Sequence, residues 1–345
     1  MNVIFIGDNR SNHFLKWIEP LKEIGIDVFY APSNVHKTDG TVKYKILVLY
    51  FLHVITILYK RRIDIIHLHY VGVYSLPALA LSYVFGKPLI VSVWGSDINF
   101  MDNRLINKIK LLVLNHAKYI ICDADHIRLK MEAFGVSPAK FRHIEFGIDF
   151  DTFGTVDNIN SSEVSVDNIK LYVNRRHEQI YQNQIVIDFF ELLQERYPSA
   201  QLLIAGSGKE TNNYIEAISS KNINNVQFLG SFNSLELINH FNRSNIYMSA
   251  SQYDAGLATS VAEAMSAGLL CIVPDILDNS RYARHLDTAI LFDHNRLDKL
   301  LMDLIYVLET NLYDRIRLQG KKIIHENLSL DNCVKELREV YHEVC

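Results

Sequence analysis

The sequence has no CxxC pair, no apolar run long enough for a bilayer, no complete phosphate-binding glycine loop, no internal repeat and no low-complexity tract. Each absence removes a class of protein. Its four cysteines, Cys122, Cys271, Cys333 and Cys345, have neither the paired spacing of a zinc site nor the density of a disulfide framework, which fits a reducing cytoplasm. The most apolar stretch, ILVLYFLHVITILY at 46–59, falls short of the roughly 20 residues that a spanning helix needs, and it carries His53. It reads as a buried or interfacial helix. LLIAGSGKE at 202–210 holds a GxG pair, but it lacks both the third glycine of a dinucleotide fingerprint and the GxxxxGK(S/T) spacing of a P-loop. The opening MNVIFIGDNRSNH has no basic leader, and its short apolar run meets Asp8 at once, so it reads as a first core strand. No Asp-rich metal motif is present, so neither a metal nor a cofactor is expected. His67 and His69 in IIHLHYVG lie on one side of a strand end, yet no third ligand accompanies them, and hydrogen-bonded histidines are expected there.

What is present is a globular composition: 345 residues, 49% apolar and 21% charged, enough for two α/β domains. The net charge of −4 is unevenly spread. Residues 1–150 hold 18 Lys+Arg against 13 Asp+Glu, a surplus of +5, and residues 151–345 carry the remaining −9. A basic first half points to an anionic partner. Lys43, Lys45, Lys60, Arg61 and Arg62 bracket the apolar helix, and Arg104, Lys108 and Lys110 form a second cluster. Two readings stay open: a helix resting on an anionic membrane, or a core helix with solvated ends.

Short β-rich runs alternate with helical periodicity. Strands are expected at 2–7, 27–31, 64–70, 88–94, 119–123 and 141–147, and, after a polar linker at 154–168, at 170–174, 200–206, 226–230, 246–250 and 270–275. Most are apolar on both faces, as parallel strands covered by helices are. The fold class is therefore α/β, with two doubly wound parallel-sheet domains. Their boundaries are expected at 1–153 and 169–328, with an amphipathic helix at 329–345. Ligands of such sheets sit beyond the carboxyl ends of the strands, so the site is expected in a cleft between the two.

Three constellations fall at such ends. In SQYDAGLATSVAEAMSAG a helix is expected to begin near Gly256, where the backbone N–H groups of Gly256, Leu257, Ala258 and Thr259 face an anion or sugar hydroxyls. Glu263, one turn on, is either the acceptor for a vicinal diol such as ribose or a carboxylate paired with an arginine. In YVNRRHEQIYQNQ, Arg175 and Arg176 follow a strand directly, and arginine forks suit a diphosphate. Gly206 and Gly208 follow another strand and permit close backbone approach. In the first half, Asp97 of SVWGSDI either projects into the cleft or caps a following helix. His13, in the loop after the first strand, is expected to face the cleft.

Taken together these residues resemble the retaining glycosyltransferases of family 4, which have the GT-B fold of two facing Rossmann-like domains. The likeness is carried by FIGDNRSNHFLKWIEPL, RIDIIHLHYVGVYS, PLIVSVWGSDI, FGIDFDTF, LLIAGSGKE, VQFLGSF and AGLATSVAEAMSAG. The resemblance implies that Glu263 holds the nucleotide ribose, that Gly256 to Thr259 meet the donor sugar and β-phosphate, and that Arg175 or Arg176 neutralises the diphosphate. It further implies that Gly206 lies below the nucleotide, that Leu229 to Phe232 line the base pocket, and that Trp94 to Asp97 and His13 meet acceptor and sugar. Three positions depart from the family pattern. The first acid of its motif, eight residues before Glu263, is Ala255, with Asp254 one place early. The diphosphate lysine, expected five residues after the arginine, is absent: Ile180 stands there counted from Arg175 and Tyr181 counted from Arg176, and the stretch looks like a subgroup with a tyrosine at that place. Trp94 replaces the histidine of the WGSD loop.

The implied activity is transfer of a hexose-type sugar from a nucleotide-diphosphate donor to a hydroxyl. The implied acceptor is a glycan or lipid-linked oligosaccharide in bacterial surface polysaccharide or lipopolysaccharide assembly, at the inner face of the cytoplasmic membrane. Nothing points to nucleic acid. Ala255 and the missing lysine also admit a catalytically idle binding partner in a glycan-assembly complex. A GT-B sugar-nucleotide epimerase is disfavoured because the first half shows no clustered acids in sequence.

Overall fold

The structure, a computed structural model, describes residues 1–7, 12–32, 44–99, 104–153, 168–254 and 256–345. Of residues 12, 13, 32 and 44–49 the backbone alone is described. The chain forms two compact units, Met1–Gly147 with Asp331–Cys345, and Ile148–Leu330.

Unit 1 is built on a six-stranded sheet of β1 (Asn2–Gly7), β2 (Asp27–Pro32), β3 (Ile65–His69), β4 (Leu89–Ser92), β5 (Tyr119–Cys122) and β6 (Phe141–His143), in the order β2-β1-β3-β4-β5-β6. Every pairing is parallel. Side chains on both faces of β1, β3 and β4 are buried, which is why these strands read as continuous apolar runs. The final helix, Leu330–His342, belongs here from Asp331 onward. Its Val334, Leu337 and Tyr341 are buried, and the Tyr341 hydroxyl lies 2.5 Å from Nδ1 of His67 on β3.

Unit 2 has β7 (Lys170–Val173), β8 (Gln201–Ala205), β9 (Val226–Gly230), β10 (Ile246–Met248), β11 (Leu270–Pro274) and β12 (Ile290–Phe292), ordered β12-β11-β10-β7-β8-β9 and parallel throughout. The order reverses between β7 and β10. In open parallel sheets a crevice forms beyond the strand ends at such a reversal.

The sequence boundary at residue 153 shifts to 147, for a local reason. Ile148 donates its N–H to the carbonyl of Leu328 at 2.6 Å and accepts from Leu330 at 3.0 Å, the Phe150 ring stacks on His325 at 3.9 Å, and Phe153 packs on Phe241. These contacts tie residues 148–153 to unit 2. Of the expected linker at 154–168, residues 154–167 lie outside the described residues. β12 escaped the sequence reading because an apolar run of four residues, Ala289 to Phe292, between Thr288 and Asp293 carries no period.

The apolar stretch 46–59 forms most of the helix Tyr44–Lys60. Tyr50, Val54 and Leu58, four residues apart, are buried, whereas Leu52 and Tyr59 are 54% and 85% exposed. One stripe therefore serves the core of unit 1 and the other faces solvent. Among the described residues no helix is long and apolar enough to cross a membrane.

Candidate functional site

The residues at the β7–β10 reversal form one hydrogen-bonded group. Arg175 follows β7 and its guanidinium is engaged on three sides. One nitrogen donates to the Ser260 hydroxyl at 3.0 Å, another pairs with the Asp254 carboxylate, and the plane lies 4.5 Å from the Tyr181 ring centroid. Its carbonyl accepts from the Asn183 amide at 3.1 Å, which fixes the loop after β7. The Tyr247 hydroxyl of β10 lies 2.8 Å from Asn174 and 2.9 Å from Ser260. The ends of β7 and β10 and the start of the helix Thr259–Ser266 are thereby locked together.

Arg176 is placed differently. Its side chain is 74% exposed and meets Glu178 only at 3.8 Å. An exposed ion pair of that length contributes little, so this guanidinium stays available to an anion. The two adjacent arginines thus divide the work: Arg175 shapes the site and Arg176 faces out of it.

The helix expected to begin near Gly256 starts at Thr259, three residues later. Gly256 takes a left-handed φ of 50°, and Leu257 and Ala258 are buried, so the turn is used in packing before the helix opens. Ala258 occupies the N-cap and no side chain caps the first turn. Val261 N–H already donates to the Ala258 carbonyl at 2.9 Å, so among the described residues the N–H groups of Thr259 and Ser260 are the ones left to solvent or ligand, with the positive end of the helix dipole beside them. Glu263 lies one turn in, half-buried, and its charge helps hold the hydroxyl of the buried Tyr172 in its protonated form, after the larger effect of burial. The hydroxyls of Ser249 and Ser251, just past β10, are buried with no hydrogen-bond partner among the described residues. Ala255, where the sequence departs from the family's acid, lies outside the described residues.

Gly206 does make a close approach, but to its own chain. Its φ is +109°, and a Cβ there would lie 2.9 Å from the Arg175 carbonyl oxygen. At Gly208 a Cβ would lie 2.2 Å from the His177 carbonyl oxygen. The loops after β7 and β8 are thus zipped together, with Glu210 N–H donating to the His177 carbonyl at 2.9 Å. The glycines of LLIAGSGKE set the position of the arginine loop. Leu229 is half-buried within β9, whose Gly230 carbonyl accepts the Gly206 N–H at 2.7 Å.

In unit 1 the expected residues are placed at the carboxyl ends of the strands, with different duties. Asp97 does not project openly. One carboxylate oxygen accepts from Val71 N–H and the other from Trp94 N–H, each at 3.0 Å, and the residue is 9% exposed. Burial raises its carboxyl to about 6, against the lowering pull of those amides. It braces two strand-end loops, because each carboxylate oxygen accepts one backbone N–H from a different loop. Lys110, assigned by sequence to a surface basic cluster, is buried and donates to the Asp97 carbonyl. His13 lies in a short helix, Asn12–Leu15, instead of a loop, and its side chain is outside the described residues. His67 lies between the Tyr341 and Ser92 hydroxyls, and burial pushes its imidazole down to about 3, so it stays neutral. It stacks on His69 at 4.3 Å. Among the described residues no three of His, Cys, Asp and Glu gather as a metal-holding group.

Sequence reasoning missed two features. One is the Tyr247–Ser260–Asn174 network, whose members look like ordinary strand and helix residues until the sheet order aligns them. The other is a group of acids in unit 1. Asp123 after β5 and Glu145 after β6 are each 6% exposed and near enough for mutual repulsion, and Glu336 of the last helix joins them. These acids are far apart in sequence, and the pairing of β5 with β6 brings Asp123 and Glu145 together.

The description "Glycosyl transferases group 1" matches residues 158–323, and "Glycosyltransferase Family 4" matches residues 20–152. The chain belongs to the glycosyltransferases of family 4. The chain is 21% identical over 224 residues to the phosphatidyl-myo-inositol mannosyltransferase of Mycobacterium tuberculosis, a match covering 62% of this chain and 55% of that protein. It is 24% identical over 252 residues to the GDP-mannose:cellobiosyl-diphosphopolyprenol alpha-mannosyltransferase of Xanthomonas campestris, covering 69% and 62%. The chain thus spans less than two thirds of the length of these curated relatives. Among solved structures, Anabaena HepE in complex with UDP and glucose superposes with a TM-score of 0.76 at 13% identity, over 99% of each chain. That likeness is one of fold, the GT-B pair of Rossmann-like sheets.

Proposed function

We propose that this glycosyltransferase moves a sugar, with retention of configuration, from a nucleotide-diphosphate donor held by unit 2 to a hydroxyl of a glycan or lipid-linked oligosaccharide. The observation that carries the reading is the β7–β10 reversal, where the exposed Arg176 follows β7, and the N–H groups of Thr259 and Ser260, with Glu263 one turn further in, follow β10. A diphosphate fits the first two and a ribose diol the third. The relatives support the donor and acceptor classes: one is named for GDP-mannose and a diphosphopolyprenol-linked sugar, and HepE binds UDP and glucose.

As the bond from the sugar's anomeric carbon to the phosphate oxygen breaks, negative charge grows on the diphosphate. Arg176 and the opening amides of Thr259–Ser266 meet that charge with donors already in place. The acceptor oxygen forms its bond on the face the phosphate leaves, and its proton passes to the departing β-phosphate oxygen. No protein nucleophile is required. Asp97 and Trp94 fix the loops beyond β3 and β4 and so shape the acceptor side, while Glu263 holds the ribose.

Calorimetry with UDP-, GDP- and ADP-sugars tests the donor site. One nucleotide is expected to bind, and Glu263→Ala is expected to weaken it at least about tenfold, since hydrogen bonds to a charged acceptor contribute about 1.5–3 kcal/mol each. Equal binding by wild type and variant would overturn the assignment and favour an idle binding partner.

The acceptor reading places the solvent face of Tyr44–Lys60, with Leu52, Tyr59 and the exposed Lys60, Arg61 and Arg62, against an anionic membrane. Changing these three cations to glutamate should release the protein from phosphatidylglycerol vesicles in a flotation assay. Retention of the triple variant would remove the membrane reading.

A further inference from the structure

The amino ends of β4, β5 and β6 surround a cavity of about 870 Å³ in unit 1, at the opposite end of that sheet from Trp94 and Asp97. Four permanent cations line it, Lys87, Lys118, Lys140 and Arg142, together with His116 and Tyr83, and no Asp or Glu does. We propose that this cavity binds the phosphate groups of a small anion, at a site separate from the donor and acceptor.

The argument rests on which cations already have local duties. Lys140 donates to the carbonyls of Asn115 and Ala117 at the end of the helix Arg104–His116, so it neutralises a helix C-terminus. Arg142 lies 3.8 Å over the Tyr119 ring and pairs with Glu343 at 3.0 Å. The His116 Nε2 lies 2.8 Å from the Ser82 hydroxyl, and burial, then the nearby Lys140 charge, keeps its imidazole below the ordinary value. Lys87 and Lys118 have no such duty: neither ammonium has an ion-pair or hydrogen-bond partner among the described residues. Lys87 comes two residues before β4 and Lys118 directly before β5, so adjacent paired strands present both to one space.

Two unpartnered ammonium groups beside two engaged cations, with no carboxylate on the wall, concentrate positive potential in a concave site. A group with two or more negative charges and several acceptor oxygens answers that arrangement. Phosphate has both, and a carboxylate ligand has neither in sufficient number. The volume exceeds that of inorganic phosphate and suits a small organic molecule. Beside the cations the Tyr83 ring lies 4.0 Å from His116 and is 65% exposed, a flat surface for the remainder of such a ligand. A phosphate of this kind reaches the site either from solution or on a lipid headgroup.

Hydrogen exchange read by mass spectrometry separates the two sources. Inorganic pyrophosphate is added in one arm and phosphatidic acid vesicles in the other. Protection is expected in the segments 86–90 and 117–120, with midpoints at least about tenfold higher in the Lys87→Glu/Lys118→Glu double variant and unchanged in Arg176→Ala. Protection by pyrophosphate identifies a soluble ligand, and protection by vesicles alone identifies a headgroup. If neither probe protects these segments, or if the double variant with its melting temperature intact is protected equally, the proposal is wrong. Lys87→Gln/Lys118→Gln repeats the test should the charge reversal lower the melting temperature.

Discussion

Arg175→Ala is expected to lower stability by about 3 kcal/mol and to abolish donor binding, whereas Arg176→Ala should leave stability within about 0.5 kcal/mol and still weaken binding. The first loss follows from what Arg175 touches. Its side chain is 11% exposed, and removing it strands the Asp254 carboxylate at 21% exposure, the Ser260 hydroxyl and the Tyr181 face. Breaking one partner of a mostly buried pair costs more than the pair contributes, because the remaining charge keeps its desolvation penalty. Arg175→Lys should not rescue it: an ammonium cannot fork between Ser260 and Asp254 while lying flat on Tyr181. Among the described residues the Arg176 side chain makes only a long, exposed contact, so its removal exposes nothing. Thermal melts together with calorimetry separate the two roles. If Arg176→Ala loses as much stability as Arg175→Ala, the division between a shaping and an available arginine is wrong.

That division shows where the sequence was legible. Arg175 and Arg176 were both visible as a basic pair after a strand, and the alternation of apolar runs placed eleven of the strands. Burial on both faces is written directly into residue type, so the parallel sheets could be read. Which arginine turns inward depends on the strand order, and sheet order is a long-range property. β10 lies beside β7 because the topology reverses there, and only then do Asp254 and Ser260 come within reach of Arg175. The same reason hid the acids of unit 1. Glycines give the converse case: their need for space was readable in LLIAGSGKE, but the object they make room for is the arginine loop itself. Asp97 shows a third kind of failure. A carboxylate at a strand end looks the same in sequence whether it faces a ligand or takes two backbone N–H groups, and here it takes the amides.

Asp123 provides the second large expected effect, and it depends on pH. The carboxyl is 6% exposed, one of its oxygens has no hydrogen-bond partner among the described residues, and burial, followed by repulsion from Glu145, raises it from 3.8 to about 7. A raised value in the folded state means that the protonated form is the one the fold accepts. Below about pH 4 both folded and unfolded chains carry the proton, and Asp123 costs nothing. As pH rises from about 4 to 7 the unfolded chain ionises first, and stability falls by about 1.4 kcal/mol per unit until the folded carboxyl ionises as well. Above that the penalty is constant, at up to about 4 kcal/mol. Asp123→Asn keeps the shape and removes the charge. The variant should therefore match wild type near pH 4 and exceed it by several kcal/mol at pH 8, with the difference growing through the interval between. Urea titrations at four or five pH values give that difference directly, and the carboxylates remote from Asp123 cancel because both chains share them, while Glu145 enters as part of the repulsion being removed. A difference that stays flat from pH 4 to 8 would mean that Asp123 is solvated when folded and that the buried acid pair beyond β5 and β6 does not exist.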